Sequence, residues 1–124
     1  MNQREEGKKY EEQAAKYLME NGFILLEQNF RCRQGEVDLI GLHEECLVFV
    51  EVKYRKNSVS GMPEEAVNAA KQQKICRVSD YYRLTHPCEN KRQVRYDVVA
   101  VCGKQLLWHR NAFPYQQKVG RYGW

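Results

Sequence analysis

The feature that most constrains this chain is a pair of apolar runs, EVDLIGL (36–42) and LVFVEVKYR (47–55), separated by a short polar turn at Glu44-Glu45. Both runs are rich in Val, Ile and Leu and read as strands of one hairpin, although Glu-Glu lacks the Gly or Asn that two-residue turns prefer. If the hairpin closes with His43 facing Cys46, Leu42 meets Leu47, Ile40 meets Phe49, Asp38 meets Glu51 and Glu36 meets Lys53. Strict alternation puts these eight side chains on one face, apolar near the turn and acidic with one lysine at the open end. Val37, Leu39, Val48, Val50 and Val52 then form an apolar opposite face. A slip of one residue would break both faces; a slip of two would keep the faces and change the individual pairs.

Facing carboxylates repel, and in a partly buried place one of them tends to hold a proton. A divalent cation removes the conflict. Mg²⁺ takes one or two carboxylates together with waters and phosphate oxygens, which would make Asp38 and Glu51 its ligands. Lys53 on the same side could orient or deprotonate an attacking water, and the chemistry that fits is phosphodiester hydrolysis. The simpler reading is a cross-strand salt bridge from Lys53 to Glu36 or Glu51. Both readings fit the charges, and the buried opposite face leans toward a site.

The remaining chain supplies helices. Residues 4–21 carry Tyr10, Ala14, Tyr17 and Leu18 at helical spacing and stop at Asn21-Gly22. FILLEQNF (23–30) reads as a strand, followed by a turn near Arg33-Gln34-Gly35. After a loop at 57–61, Pro63 suits the first turn of a helix that reaches about Leu84, with Val67, Ala70, Lys74, Val78 and Tyr81 on one face. A loop at 86–91 leads to strands at 94–101 and 104–109. The order α-β-β-β-α-β-β predicts an α/β sandwich of mixed sheet flanked by helices.

With 124 residues, 43% of them hydrophobic and 29% charged, the chain fits one folded domain, expected over 1–113 with a flexible tail at 114–124. No apolar run approaches a membrane span and the charged N-terminus lacks a signal-peptide core, so a cytoplasmic location is expected. Five cysteines at irregular spacing, with no CxxC, give little support to zinc and read as reduced thiols. The net charge of +4 permits nucleic acid as a partner without demanding it. In YQQKVGRYGW (115–124) aromatics alternate with Lys118 and Arg121, a pattern that could stack on bases but more often marks a packed or frayed terminus.

GEVDLI (35–40) followed by VFVEVKYR (48–55) resembles the bacterial YraN-like family, which is similar in turn to archaeal Holliday junction resolvases of the restriction-endonuclease-like superfamily. That pattern, an Asp, a variable gap and Glu-x-Lys, is matched by Asp38, Glu51 and Lys53. GKKYEEQAAKYL (7–18) resembles the family's first helix through Glu11, EEAVNAAKQQKI (64–75) its second long helix through Lys71, and VRYDVVAV (94–101) its Arg-x-Asp strand through Arg95 and Asp97. Tyr10 stands where the family usually has Gly, and Val37 where the superfamily often has Pro.

The resemblance implies a nuclease fold with a metal site at the split edge of a mixed sheet. It implies a Mg²⁺- or Mn²⁺-dependent endonuclease acting on DNA, with branched or single-stranded structures as candidate substrates. Asp38 and Glu51 would hold metal with the Val52 carbonyl, Lys53 would act on water, and Glu11 would bind a second metal, position water or simply sit on the helix surface. Lys71, Lys74, Arg77 and Arg55 are candidate phosphate contacts, which fix position without reading sequence. Glu36 would pair with Lys53 or a neighbour, and no chemistry is assigned to His43, His86 or His109. A non-catalytic nucleic-acid-binding or scaffolding domain that keeps the fold is the alternative. A homodimer would be expected if the substrate were a symmetric junction.

Overall fold

A computed structural model describes residues 3–55 and 67–117. Helix α1 (Gln3–Glu20) leads into strands β1 (Ile24–Cys32), β2 (Gly35–His43) and β3 (Cys46–Tyr54). Helix α2 (Ala69–Thr85) and a 3-10 turn (Pro87–Glu89) follow, then β4 (Val94–Cys102) and β5 (Gln105–His109). The five strands form one sheet in chain order. β3 and β4 are parallel, joined through α2, and every other neighbouring pair is antiparallel. The fold is the α/β sandwich that the sequence predicts. No helix among the described residues is long and apolar enough to cross a membrane.

The two sheet faces carry separate cores. Ile40, Leu47, Phe49, Tyr96 and Val98 pack against Ile75, Val78 and Tyr82 of α2. Leu39, Val48, Val50, Val99 and Val101 pack against Ala14, Ala15 and Leu18 of α1. The hairpin closes in the expected register, His43 opposite Cys46 and Ile40 opposite Phe49. Glu44 and Glu45 both adopt positive φ, 51° and 68°, the left-handed geometry that a two-residue hairpin needs and that ordinarily favours Gly or Asn. The Glu44 carboxylate lies 3.8 Å from Arg95 of β4 across the turn.

Two expectations are corrected. Strict alternation along β2 fails: Val37 joins the α2-side core while Leu39 joins the α1-side core. β1 makes the same change of side at Asn29, whose φ is 56°, so Glu36 does not share a face with Ile40. α2 begins at Ala69, where the extended Asn68 caps it, its side chain accepting the Lys71 amide at 2.9 Å. Buried Val67 therefore precedes the helix instead of marking its face, and Pro63 lies outside the described residues. At the start of the tail, Tyr115 donates to Asp80 at 2.9 Å and Arg77 donates to the Gln116 carbonyl. Lys118 and Arg121 lie outside the described residues.

Gly41 sits in β2 where a Cβ would come within 2.3 Å of the Phe23 ring and 2.4 Å of the Ile24 carbonyl oxygen. Glycine is what lets β2 pass under that ring. Gly41→Ala should therefore destabilise the fold by about 2 kcal/mol or more through overpacking, read as a lower urea midpoint at unchanged m-value. An unaltered midpoint would refute this account of the contact.

Candidate active site

β2 and β3 pair from the turn as far as Leu39 and Val50, and there the ladder ends. Continuing the register would set Val37 opposite Val52. Instead the Val52 amide donates to Asp38 Oδ2 at 2.8 Å. A carboxylate thus takes the place of a strand's carbonyl, and the two strands part around it. β3 keeps its parallel pairing with β4 as far as Tyr54. In an extended strand a residue's N–H and C=O point the same way, so the Val52 carbonyl also faces the gap.

Glu51 reaches the gap from the α2 side and is only 6% exposed. Its carboxyl lies beside that of Asp38, so that each raises the cost of ionising the pair. Burial, and then the Asp38 charge, push the Glu51 carboxyl up to about 8. Burial also raises the Asp38 pKa, against the opposing pull of the Val52 amide. Lys71 Nζ lies 3.7 Å from Glu51 Oε2, too far for a hydrogen bond, and among the described residues that buried oxygen has no hydrogen-bond partner. Lys53, two residues along β3, adds its charge on the same side.

Glu11 approaches from α1. Burial and the neighbouring Asp38 charge raise its pKa to about 7, while a hydrogen bond from Asn29 pulls the other way. Its Oε1 is likewise buried without a partner. The structure therefore brings Asp38, Glu51, Glu11, Lys53 and Lys71 to one end of the sheet. Lys74 is exposed one turn further along α2, and Arg55 follows Tyr54 at the end of β3.

Two expected pairings are absent. Glu36 pairs with Arg31 at 3.4 Å, and among the described residues Lys53 forms no ion pair. The cross-strand salt bridge assumed unbroken alternation, which Val37 violates. Arg77 does not serve as a free phosphate contact, being tied to Tyr115 at 3.0 Å and Asp80 at 3.5 Å besides Gln116.

The donors gathered here are hard oxygens, which suit Mg²⁺ or Mn²⁺. No group of three or more His, Cys, Asp or Glu side chains among the described residues forms a ready-made metal cage. A cation needing only one or two carboxylates plus waters is compatible with that. Two buried carboxylate oxygens without partners are the kind of exception that a bound ion would explain.

Sequence reasoning missed a second polar cluster. Asp97 is fully buried and accepts two hydrogen bonds from Arg95, one from Trp108 Nε1 at 2.8 Å and one from the Asn111 amide at 2.9 Å. His43 Nδ1 lies 2.9 Å from Arg95 Nη2, and its ring meets Trp108 edge-on. Burial and then the Arg95 charge lower the His43 pKa. The Arg-x-Asp spacing was visible, but Trp108 and His43 come from strands whose approach only the sheet order decides. With its hydrogen bonds satisfied, this cluster clamps β5 and the hairpin to β4.

The arrangement is that of an α/β domain carrying an acid–lysine constellation where a mixed sheet splits. The chain belongs to the uncharacterised protein family UPF0102, whose pattern matches residues 10–101; this is the YraN-like family of the sequence resemblance. It is 42% identical over 113 residues to a UPF0102 protein of Lachnoclostridium phytofermentans, covering 91% of this chain and 96% of that one. It is 40% identical over 111 residues to one of Legionella pneumophila, covering 88% and 94%. A crystal structure of a repair endonuclease from Pyrococcus abyssi aligns over 73% of this chain and 37% of that one, at 23% identity and a TM-score of 0.47. So weak a superposition says nothing about activity.

The raised carboxyl pKa values set a sign for pH dependence. Between the unfolded value near 4.5 and the folded values of about 7 and about 8, the folded chain holds protons that the unfolded chain has released. Stability of the metal-free protein should therefore fall as pH rises from about 5 to 8, with a limiting slope of about 1.4 kcal/mol per pH unit for each proton. His43, with its lowered pKa, acts in the opposite direction below about pH 6.5. The decisive comparison is thus urea unfolding in EDTA for the wild type and Glu51→Gln. A slope no shallower in Glu51→Gln would contradict the assignment.

Proposed function

We propose that this protein is a divalent-metal-dependent endonuclease that hydrolyses DNA phosphodiester bonds. The observation that carries the reading is the Asp38–Glu51 pair at the split of β2 and β3, with a buried Glu51 oxygen that no donor among the described residues satisfies and two lysines beside it. Such a site disfavours its own full ionisation. It would be relieved by a hard cation together with an anionic substrate.

Asp38, Glu51 and the Val52 carbonyl are the groups that would hold Mg²⁺ or Mn²⁺. A cation bound there would lower the pKa of coordinated water and offset negative charge growing on the phosphoryl oxygens. Lys53, on the same side as Glu51, orients the attacking water and balances charge on the phosphate. Lys71, beside Glu51, pairs with the anionic phosphate when substrate is bound. Glu11 closes the site from the α1 side and positions water through its unpartnered oxygen. Lys74 and Arg55 flank the approach and hold neighbouring phosphates, giving affinity without sequence readout. The resemblance to junction resolvases favours branched or single-stranded DNA as substrate, and symmetric cutting of a junction would require a homodimer.

Cleavage of linear, flapped and four-way DNA with Mg²⁺ or Mn²⁺ tests the reading. The wild type should cut in a metal-dependent manner. Asp38→Ala and Lys53→Ala should each lose about 100-fold or more, the range expected for removing a metal ligand or a group acting on water. Wild-type protein that binds DNA but never cuts it, or an Asp38→Ala variant as active as wild type, would overturn the proposal.

A further inference from the structure

The end of the sheet beside the acidic cleft carries an aromatic pair and a basic groove that the chemistry above does not use. Tyr54 follows Lys53 in β3, and its ring stacks on Tyr10 of α1 with centroids 4.4 Å apart and planes 9° from parallel. Tyr10 packs against the α1-side core, whereas Tyr54 is 48% exposed. A tyrosine serving only to fasten helix to strand gains most by burying its ring. This one keeps one face on Tyr10 and leaves much of the rest in water, on the α1 side of the strand whose preceding residue, Lys53, faces the other side.

Beyond Tyr10, an open groove of about 600 Å³ runs between α1 and the β4–β5 turn. Lys9, Lys16 and Lys104 line it, against a single acid among its lining residues, Glu12. Glu6 lies close to the Tyr10 hydroxyl. Gln13 donates to the Gly103 carbonyl at 3.1 Å, fixing the turn against the helix. Neighbouring strands lie about 4.8 Å apart, so the turn stands roughly 10 Å from the end of β3. The cleft, the stacked rings and the lysines therefore follow one another along the same end of the sheet.

We infer that the exposed face of Tyr54 is a stacking platform for an unpaired nucleobase beside the cleft, with the adjoining backbone phosphates led into the Lys9–Lys16–Lys104 groove. An aromatic face with a neighbouring basic track is how single-stranded nucleic acid is held without regard to sequence, because every base has a π-face. A duplex keeps its bases stacked on each other and cannot use the ring. Tyr54 thereby selects unpaired over paired DNA. This inference rests on the nucleic-acid substrate proposed above and adds the residue that makes strandedness matter.

Fluorescence anisotropy in EDTA tests it, using labelled oligothymidylate and a duplex of equal length. Tyr54→Leu, which keeps apolar bulk on Tyr10 without a π-face, should weaken oligothymidylate binding by about fivefold or more and leave duplex binding unchanged. Tyr54→Phe should bind both probes like wild type. The triple variant K9A/K16A/K104A should reduce the salt dependence of single-strand binding by about 2 in the log–log slope. Thermal melts establish that each variant is folded.

Equal losses on both probes, no loss in Tyr54→Leu, or no binding of oligothymidylate by the wild type would overturn the inference. The two proposals fail separately. Tyr54-dependent single-strand binding by a protein that never cuts DNA would sink the nuclease reading and support this one. Metal-dependent cutting by a protein whose Tyr54→Leu variant binds single strands normally would do the reverse.

Discussion

The hydrogen bond from the Val52 amide to Asp38 is the contact on which the site depends. A strand amide facing a sheet neighbour ordinarily meets a carbonyl, and leaving it unmet inside the protein costs free energy. Here a carboxylate oxygen meets it at 2.8 Å. That substitution lets β2 leave β3 without stranding the amide, and it places negative charge in the opening. Glu51 follows on one side and Glu11 on the other, so that three carboxyls with raised pKa values surround one gap.

The same end of the sheet concentrates cationic and aromatic groups. Lys53 and Lys71 lie on the α2 side of the gap, and Tyr54 with Tyr10 on the α1 side. Parallel pairing of β3 with β4 makes this possible. Both strands finish at this end, where the β4–β5 turn delivers Lys104 to the groove beside α1. At the other end the buried Arg95–Asp97 pair, satisfied by Trp108 and Asn111, holds the sheet rigid. One end of the sheet thus carries satisfied buried polar groups and the other carries unmet ones among the described residues.

Much of this was legible in the residues. The register of the hairpin followed from matching apolar side chains across a turn, and it came out as expected through Leu39 and Val50. The order of elements followed from helical spacing in α1 and from apolar runs in the strands. What failed was the assumption that side chains alternate without interruption. Val37 crosses to the α2 side because both β1 and β2 change side, β1 through the positive φ of Asn29. Nothing in the pattern of apolar residues announces that change, since Val37 is buried on either face. With it went the expected salt bridge of Glu36 to Lys53.

The sequence alone determined that the two apolar runs would close as a hairpin in one register through Leu39 and Val50, because matching apolar side chains across a short turn leaves few other arrangements. It also determined where α1 stops, at Asn21-Gly22. Only the tertiary structure decided that the strands separate at Asp38, that Lys71 and Glu11 close on the gap from opposite faces, and that Tyr10 meets Tyr54. Those contacts join residues tens of positions apart, and their existence depends on how helices pack on a twisted sheet rather than on any local preference of the chain.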